Sequence, residues 1–220
     1  MTGWTMNTVA ALAAFDIPEG AYVNLGIGLP ERVANHIPVG REIVLQSENG
    51  ILGMGPFAPT ELEDMELINA GKKPVTLLAG GSFFHHADSF TMIRGGHIDI
   101  CIMGAFEVSA AGDLANWSSG SDAVPAIGGA MDLAVGARSV RVITTHNTRE
   151  GTPKLLAALT LPATARCIVD IVYTDQAILK PAGDRFDVLA MAPGITLQAL
   201  AAATGAPVCL ALRTILDASR

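Results

Sequence analysis

The sequence predicts an α/β fold in which helices flank a mostly parallel or mixed β-sheet. Apolar residues make up 50% of the 220-residue chain and charged residues 16%, which supplies a large core and is unlike the composition of a disordered protein. Short apolar runs also alternate along the chain with segments of helical pattern. This alternation is typical of α/β proteins, and it predicts strands joined by helices.

Seven apolar runs rich in β-branched residues predict the strands. Each run is bounded by Gly, Pro, Asn or Asp, and its continuous apolar character fits a strand buried on both faces. In chain order the runs are "AYVNLGIG", "REIVLQS", "KPVTLLAGG", "IDICIMGAF", "SVRVITT", "CIVDIVYTD" and "APVCLAL".

Three segments between these runs predict helices. They are "LPERVANHI", with Pro30 near its first turn, "TELEDMELINAG", which Gly71 would close, and "TLQALAAATGA", which Gly205 would close. No repeat, low-complexity tract or long linker marks a domain boundary. The sequence therefore predicts one domain over residues 1–220.

Charge and cysteine content limit the classes of partner and compartment. The formal net charge of -7 argues against a nucleic-acid-binding surface. The N-terminal segment lacks a basic region and is interrupted by Asp16 and Pro18, so we expect a short helix rather than a signal peptide or a membrane span. Cys101, Cys167 and Cys209 are far apart within apolar runs, which predicts packed thiols, no disulfide framework and a reducing cytoplasm.

One carboxylate stands at the end of a predicted strand, in "REIVLQSENGILGMGP". Ligands of α/β sheets collect at the carboxyl ends of strands, where the strands hold the loops rigidly. Asn49 and Gly50 supply a turn that would direct Glu48 into such a crevice. The alternative is a solvated glutamate in a surface turn.

Two glycine-containing turns are further candidates for a ligand site. Asn24 interrupts an apolar strand before Gly26 and Gly28, but Glu31 occupies the next fingerprint position, so a dinucleotide-binding motif is excluded. A tight strand-to-helix turn also explains these glycines. The segment 128–130 precedes a predicted helix, where backbone amides would be available to an anion, although close packing explains it equally well.

Histidines and carboxylates cluster at His85, His86 and Asp88 and again at His97 and Asp99. Adjacent side chains of an extended stretch point to opposite faces, and no pair of histidines has the i, i+4 spacing of a helical metal site. No metal site is therefore predicted. We expect one of His85 and His86 to contact an anionic ligand while the other packs.

Two adjacent lysines, Lys72 and Lys73, follow the glycine that would close the second predicted helix. Lysines in such a place are usually only solvated. In a chain of net charge -7 they are nevertheless among the few cations that could bind a phosphate or a carboxylate.

Several motifs together closely resemble the B subunit of family I CoA-transferases of the 3-oxoacid type. The motifs are "VNLGIGLP", "QSENGILGMGP", "GGSFFHHADSFTMIRGGHIDI", "GAFEVSAAGDLANW" and "GGAMDLAVGARSVRVITTHNTREGTPK". The resemblance extends from about Val23 to Leu210. It implies the three-layer αβα sandwich of CoA-transferase-like proteins and identifies Glu48 as the nucleophile.

The resemblance implies covalent catalysis by Glu48. The carboxylate would attack succinyl-CoA, form a glutamyl anhydride, become a glutamyl-CoA thioester and then pass CoA to a second acid. The side chain of Asn24 and the backbone amides of Gly129 and Ala130 would lie near the oxyanions of these steps. Coenzyme A would be a substrate, with no permanently bound cofactor and no metal.

The same resemblance implies a set of CoA-binding residues. Lys72 occupies the place of the family's CoA-contacting lysine. The other candidates belong to the turns around the site and are Gly26, Gly28, Asn49, Gly50 and Gly128.

The acceptor implied by the resemblance is 3-oxoadipate, because "GGSFFHHADSF" and "EVSAAGDLANWSSGSDAVPAIGG" look like the 3-oxoadipate members. Its second carboxylate would meet His85, His86 or Arg94. Family members work with an A subunit, which implies a heterodimer or an α2β2 heterotetramer without nucleic acid or membrane as a partner. The alternatives are an acetoacetate CoA-transferase, an acyl-CoA hydrolase of the same superfamily, and a non-catalytic subunit that senses CoA or a sugar phosphate.

Overall fold

The computed structural model describes residues 3–120 and 128–211. The chain is divided into two compact units. Unit 1 comprises residues 1–9, 105–131 and 141–220, and unit 2 comprises residues 10–104 and 132–140. The single domain expected from the sequence stays a prediction.

Unit 2 contains five neighbouring strands of a mixed sheet. Its strands are β1 (Tyr22–Leu25), β2 (Val44–Ser47), β3 (Ile51–Phe57), β4 (Val75–Phe83) and β5 (Ile100–Met103). Their order is β5-β1-β2-β3-β4, with β1 parallel to both β5 and β2 and with antiparallel pairing from β2 to β4. Because β5, β1 and β2 are parallel, their carboxyl ends meet at one edge of the sheet.

The helical elements of unit 2 are short. A 3₁₀ helix covers Pro30–His36, a single 3₁₀ turn covers Thr60–Leu62, and the α-helix here labelled α2 covers His86–Arg94. Helix α1 (Met6–Phe15), helix α3 (Ala130–Gly136) and strand β8 (Ser139–Ile143) each contain a boundary between the two units.

Unit 1 contains two sheets. Its smaller sheet has the order β7-β6-β9, from β6 (Glu107–Ser109), β7 (Leu114–Ala115) and β9 (Leu155–Leu156). The larger set has the order β13-β12-β11-β10, and helix α4 (Leu197–Ala203) precedes its edge strand. The four strands are β10 (Val169–Tyr173), β11 (Ala177–Pro181), β12 (Phe186–Met191) and β13 (Val208–Leu210).

Each unit has an apolar core. In unit 2 all four residues of β5 are buried, as the continuous apolar run predicts for a strand covered on both faces. In unit 1 the side chains of Tyr173, Phe186 and Leu179 are completely buried. Burial of such side chains stabilises a fold by about 1.5–3 kcal/mol each.

The predicted α/β class with a mixed sheet is confirmed, and all seven predicted strands are present as β1, β2, β4, β5, β8, β10 and β13. Helix α4 also forms where predicted, with the Thr196 hydroxyl accepting from the Ala199 amide at its start. The segment "LPERVANHI" forms a 3₁₀ helix.

The predicted helix over residues 60–71 is wrong beyond its first turn. The Asn69 amide donates to the Lys73 carbonyl (3.0 Å), and the Lys72 amide donates to the Asn69 carbonyl (2.9 Å). These bonds close a reverse turn. The local helical pattern is therefore overridden by a loop that returns the chain to β4.

The prediction of three packed thiols holds only for Cys101, which is buried, whereas Cys167 and Cys209 are exposed. Cys209 lies on the edge strand β13, and Cys167 lies in a turn with a positive φ of 54°. All three cysteines are free. Within residues 3–120 and 128–211, no helix is long and apolar enough to cross a membrane.

Candidate active site

The candidate site lies where β2 ends. Ser47 is the last residue of the strand, and the Gly50 amide donates to the Ser47 carbonyl (3.0 Å), which closes a turn around Glu48. Gly50 has φ of 114°, and a Cβ atom there would lie 2.2 Å from the Phe84 carbonyl oxygen. Only glycine fits this turn, which leaves the Glu48 side chain half-buried at the strand end.

Asn24 holds the Glu48 carboxylate. Its Nδ2 atom donates to Glu48 Oε2 (3.1 Å) and to Gln46 Oε1 (2.6 Å), and its side chain is completely buried. Asn24 is the register partner of Gln46 in β2 and of Cys101 in β5, so the three side chains leave the same face of neighbouring strands. Glu48 follows Gln46 by two residues. The parallel pairing therefore assembles the site.

The orientation of the Asn24 amide follows from its neighbours. The Cys101 thiol donates to Asn24 Oδ1, with 3.7 Å between sulfur and oxygen. Burial raises the pKa of Cys101 well above its usual range, and the charge of Glu48 raises it further, so the group stays a neutral donor. With Oδ1 occupied by the thiol, the NH₂ group of Asn24 faces Glu48.

A second buried contact supports Gln46. Its Nε2 atom donates to the Ser89 hydroxyl oxygen (2.5 Å), and Ser89 is a completely buried residue of α2. The side chains of Cys101, Asn24, Gln46 and Ser89 thus form a continuous hydrogen-bonded network that ends at Glu48. A carboxylate held in this way has little rotational freedom, which favours a reaction that needs close alignment.

Gly26 and Gly28, two of the predicted CoA-binding glycines, have amides that already donate within the protein. The Gly26 amide donates to the Ile102 carbonyl (2.8 Å), and the Gly28 amide donates to Glu31 Oε2 (2.8 Å). Asn49 donates through Nδ2 to the Ile68 carbonyl (2.7 Å). The contribution of these residues to CoA binding stays a prediction.

The predicted cations lie on the surface of unit 2. Lys72 is exposed and has a positive φ of 62°. His85 is exposed at the start of α2, where its Nδ1 accepts from the Ala87 amide (3.1 Å), and His86 packs against the Phe90 ring. Arg94, at the other end of α2, forms an ion pair with Asp132 (2.7 Å).

The predicted oxyanion donors outside unit 2 are Gly129 and Ala130. They belong to unit 1, and Ala130 is the first residue of α3, a helix of seven residues. Gly128 is exposed with φ of 52°. The assignment of these amides stays a prediction, and residues 121–127 of the motif that precedes them lie outside the described residues.

The part of the chain described here brings together no cluster of three or more His, Cys, Asp or Glu residues that could hold a metal ion. Gln46, Ser89 and Cys101 belong to the site although the sequence did not predict them there. The polar Gln46 inside an apolar strand was the one feature of the sequence that could have indicated its place in the site. Nothing in the sequence indicates that Cys101 and Ser89 belong to the site, because their positions depend on strand register and helix packing.

The fold and this network define a mixed α/β protein with a fixed carboxylate at a strand end. The chain belongs to the Coenzyme A transferase family, whose family model matches residues 6–203, and it is a CoA-transferase. The family and reaction class inferred from the motifs are confirmed.

Relatives of high identity cover almost the whole chain. The B subunit of 3-oxoadipate CoA-transferase from Acinetobacter baylyi is 50% identical over 98% of this chain and 97% of its own length. The B subunit from Pseudomonas putida is 52% identical over 90% and 93%. The B subunit of a probable succinyl-CoA:3-ketoacid coenzyme A transferase from Bacillus subtilis is 45% identical over 84% and 86%.

Solved structures share the fold at low identity. An acyl-CoA transferase from Escherichia coli O157:H7 matches with a TM-score of 0.74 and 17% identity, over 94% of this chain and 42% of that chain. Glutaconate coenzyme A-transferase from Acidaminococcus fermentans matches with a TM-score of 0.66 and 17% identity, over 94% of this chain and 86% of that chain. The fold predicted from the resemblance agrees with these structures.

Proposed function

We propose that this chain is the nucleophile-bearing subunit of a CoA-transferase that moves CoA from succinyl-CoA to 3-oxoadipate through a glutamyl-CoA thioester on Glu48. The observation that carries the proposal is the 3.1 Å contact between Asn24 Nδ2 and Glu48 Oε2, at the end of a buried strand. A carboxylate that served only solubility would not need a completely buried amide to orient it.

The proposed reaction has two mirror halves. Glu48 attacks the thioester carbonyl of succinyl-CoA, the CoA thiolate leaves, and a mixed anhydride joins Glu48 to succinate. The thiolate then attacks the glutamyl carbonyl and releases succinate, which leaves CoA on Glu48 as a thioester. The carboxylate of the acceptor attacks this thioester, which releases the CoA thiolate and forms a second mixed anhydride between Glu48 and the acceptor. The thiolate then attacks the acceptor carbonyl of this anhydride, which gives the acceptor's CoA thioester and releases the Glu48 carboxylate.

Asn24 is suited to stabilise the oxyanions formed on Glu48 itself. Whenever the glutamyl carbonyl is attacked, its own oxygen acquires the negative charge. The Asn24 donor already lies 3.1 Å from Oε2, within the range of an oxyanion-hole contact. The amide therefore orients the carboxylate before the reaction and stabilises the charge during it.

The choice of 3-oxoadipate rests on the relatives and on α2. The chain is 50–52% identical to subunits named for 3-oxoadipate over 90–98% of its length, and 45–50% identical to proteins named for 3-ketoacids over 76–84% of its length. His85 and Arg94 lie nine residues apart at opposite ends of α2, a rise of about 13 Å along a helix, and Arg94 is already paired with Asp132. The Phe84 amide donates to the carbonyl of Gly50, in the turn that holds Glu48 (3.0 Å). This contact places the adjacent His85 and His86 closer along the chain to the Glu48 turn than Arg94, and it favours one of the two histidines as the partner of the distal carboxylate.

A separate A subunit completes the proposed enzyme. Relatives that this chain matches along almost their entire length are named as B subunits. We expect a heterodimer or an α2β2 heterotetramer, and negligible transfer by this chain alone. The free thiols of Cys101, Cys167 and Cys209 support a reducing, cytoplasmic compartment.

The covalent step is tested by incubating the reconstituted complex with succinyl-CoA and no acceptor. Borohydride reduction or hydroxylamine capture, followed by peptide mass analysis, should place the label on Glu48. Steady hydrolysis of succinyl-CoA without acceptor would instead indicate a hydrolase. An unlabelled Glu48 during normal transfer would overturn the covalent mechanism.

The acceptor is tested with 3-oxoadipate and acetoacetate on variants His85→Gln, His86→Gln and Arg94→Gln. Loss of the partner of the distal carboxylate should reduce kcat/KM for 3-oxoadipate by about tenfold or more and leave acetoacetate unchanged. If only Arg94→Gln lowers kcat/KM for 3-oxoadipate selectively, the distal carboxylate is bound by Arg94 and not by a histidine. Equal losses for both acids would contradict any contact with a second carboxylate.

A further inference from the structure

The loop of residues 68–73 is attached to both sides of Glu48. The Ala70 amide donates to the Ser47 hydroxyl oxygen (3.0 Å), and Asn49 Nδ2 donates to the Ile68 carbonyl (2.7 Å). Ser47 and Asn49 are the two chain neighbours of Glu48. The loop and the turn of the nucleophile are therefore held in one fixed arrangement.

Glu31 is a buried carboxylate that binds the same loop. Its Oε1 atom accepts from Asn69 Nδ2 (2.9 Å), and its Oε2 atom accepts from Lys73 Nζ (2.6 Å) and from the Gly28 amide (2.8 Å). The Glu31 side chain is only 3% exposed, whereas the Lys73 side chain is 49% exposed. A buried carboxylate with three donors is costly to disrupt, because removal of one donor leaves part of its charge uncompensated.

Lys72 stands between the two loop residues that Glu31 binds. It is one of two described non-glycine residues with a positive φ, at 62°. This left-handed conformation costs about 1–2 kcal/mol for a residue with a side chain, so the surrounding contacts must impose it. The Lys72 and Lys73 amides donate to the main-chain and side-chain oxygens of Asn69, at 2.9 and 3.0 Å, which fixes the turn on both sides of Lys72.

Close packing shows that Glu31 and the loop are fitted to each other. A Cβ atom on Gly71 would lie 2.0 Å from Glu31 Oε1, so the loop backbone passes directly over the carboxylate. Lys73 Nζ also lies 5.3 Å from the centre of the Phe57 ring. Lys72, by contrast, is exposed while its neighbours are anchored.

We propose that Glu31 is a positioning residue that holds Lys72, through Asn69 and Lys73, in the conformation that presents its ammonium group to CoA beside Glu48. The inference rests on the proposed transfer of CoA and on the CoA contact that the family resemblance implies for Lys72. Glu31 itself does not touch substrate. Its effect should therefore appear in the recognition of CoA and not in the recognition of the acceptor acid.

The test uses the reconstituted complex with Glu31→Gln, Lys73→Met, Lys72→Ala and the double variant Glu31→Gln/Lys72→Ala. Asp99→Asn is the matched control, because Asp99 also pairs with a cation (Arg138, 2.8 Å) and accepts from a backbone amide in unit 2. Asp99 precedes β5 and lies at the amino ends of the parallel strands, opposite to Glu48. Each complex is measured for the KM of succinyl-CoA, the KM of the acceptor, kcat, and hydrogen exchange of residues 68–73 without substrate.

Glu31→Gln should accelerate exchange in the loop and raise the KM of succinyl-CoA about tenfold, with the KM of the acceptor unchanged. The double variant should bind succinyl-CoA no worse than Lys72→Ala alone, because both changes remove the same contact. Asp99→Asn should alter neither KM. If Glu31→Gln does not fold, Lys73→Met decides, because it keeps Glu31 with its two other donors and removes only the partly exposed partner.

Unchanged loop exchange, additive effects in the double variant, or an equal rise of both KM values would overturn the role of Glu31. Failure of the underlying CoA contact gives a different result. In that case Glu31→Gln would accelerate loop exchange while Lys72→Ala left the KM of succinyl-CoA unchanged, which would overturn the proposed role of Lys72 in binding CoA.

Discussion

Both units bury a polar network close to the end of a strand, but only the network of unit 2 ends in an accessible carboxylate. In unit 2 the buried Asn24 and Gln46 converge on Glu48, which remains half-exposed. In unit 1 the chain leaves β8 and buries His146 completely, with Nδ1 3.0 Å from the Thr174 hydroxyl oxygen and Nε2 2.9 Å from that of Thr204. A polar group whose hydrogen bonds are all made within the protein stabilises the fold, whereas a partly exposed polar group is available for chemistry.

The two networks differ in how fully their hydrogen bonds are satisfied. The Thr204 hydroxyl donates to the Leu200 carbonyl (2.7 Å), and the Thr174 hydroxyl donates to the Ala177 carbonyl (3.0 Å). Burial lowers the pKa of His146 to about 4, with a smaller opposing effect of Asp175, and the ring is neutral. Both nitrogen atoms of this ring are engaged within the protein. The ring therefore joins two loops to the end of α4 and has no free polar atom for chemistry.

The largest expected effect is the loss of Glu48. In the reconstituted complex, Glu48→Ala should reduce transfer by at least about 10⁴-fold, because the group that carries the acyl chain and CoA is gone. The free energy of unfolding of the chain should change little, since Glu48 is only half-buried. His146→Ala should have the opposite profile, with lower stability and a much smaller loss of kcat. Similar profiles for both variants would contradict the comparison.

Asn24→Ala should have the next largest effect. The change removes the donor to Glu48 Oε2, and we expect a decrease in kcat of about 10²–10³-fold, as for the loss of one oxyanion donor. Steady-state kinetics of the complex measure this loss. Asn35→Ala is the control, because Asn35 is an exposed residue of the same unit whose side chain accepts from the Phe57 amide. Normal turnover by Asn24→Ala would show that the amide only orients a resting carboxylate.

The pH dependence of stability should report His146. Its pKa is lower in the folded state than the ordinary 6.5, so the unfolded chain binds more protons between about pH 6.5 and 4. The stability due to the neutral ring is complete above pH 6.5 and is lost as the pH falls, by on the order of 3 kcal/mol at pH 4.

Urea unfolding of the chain from pH 7.5 to 4 measures this loss. His146→Asn should flatten the decrease, and His97→Gln, at an exposed histidine, should not. If the wild-type chain and His146→Asn lose stability in parallel, His146 does not control the transition.

The smallest expected effect concerns the far end of the unit 2 network. Ser89→Ala removes the acceptor of Gln46 Nε2, which should destabilise the chain by about 1–2 kcal/mol and reduce kcat about threefold to tenfold through a looser Asn24. Thr91→Ala is the control on the same helix, because Thr91 is exposed and its hydroxyl bonds its own helix backbone. Equal kinetics for the two variants would show that support for Asn24 ends at Gln46.

Seven of the strands could be predicted from local sequence, and the resemblance to a known family identified Glu48 as the candidate nucleophile. The apolar runs produced every predicted strand, and the "SENG" segment identified the turn that holds Glu48. Strand β3, with Gly53, Gly55 and Pro56, was missed because such residues usually weaken a strand. It forms through antiparallel pairing with both neighbours.

The sequence thus determined the α/β class by its local pattern, and the family and the candidate nucleophile by its resemblance to known proteins. Tertiary structure decided how that carboxylate is held. Asn24, Gln46 and Cys101 are separated by up to 77 residues, and they meet only because β5, β1 and β2 pair in one parallel register. A shift of one residue in that register would turn these side chains to the opposite face of the sheet. No periodicity within a single strand specifies the register between strands, which is why these contacts became visible only in the folded chain.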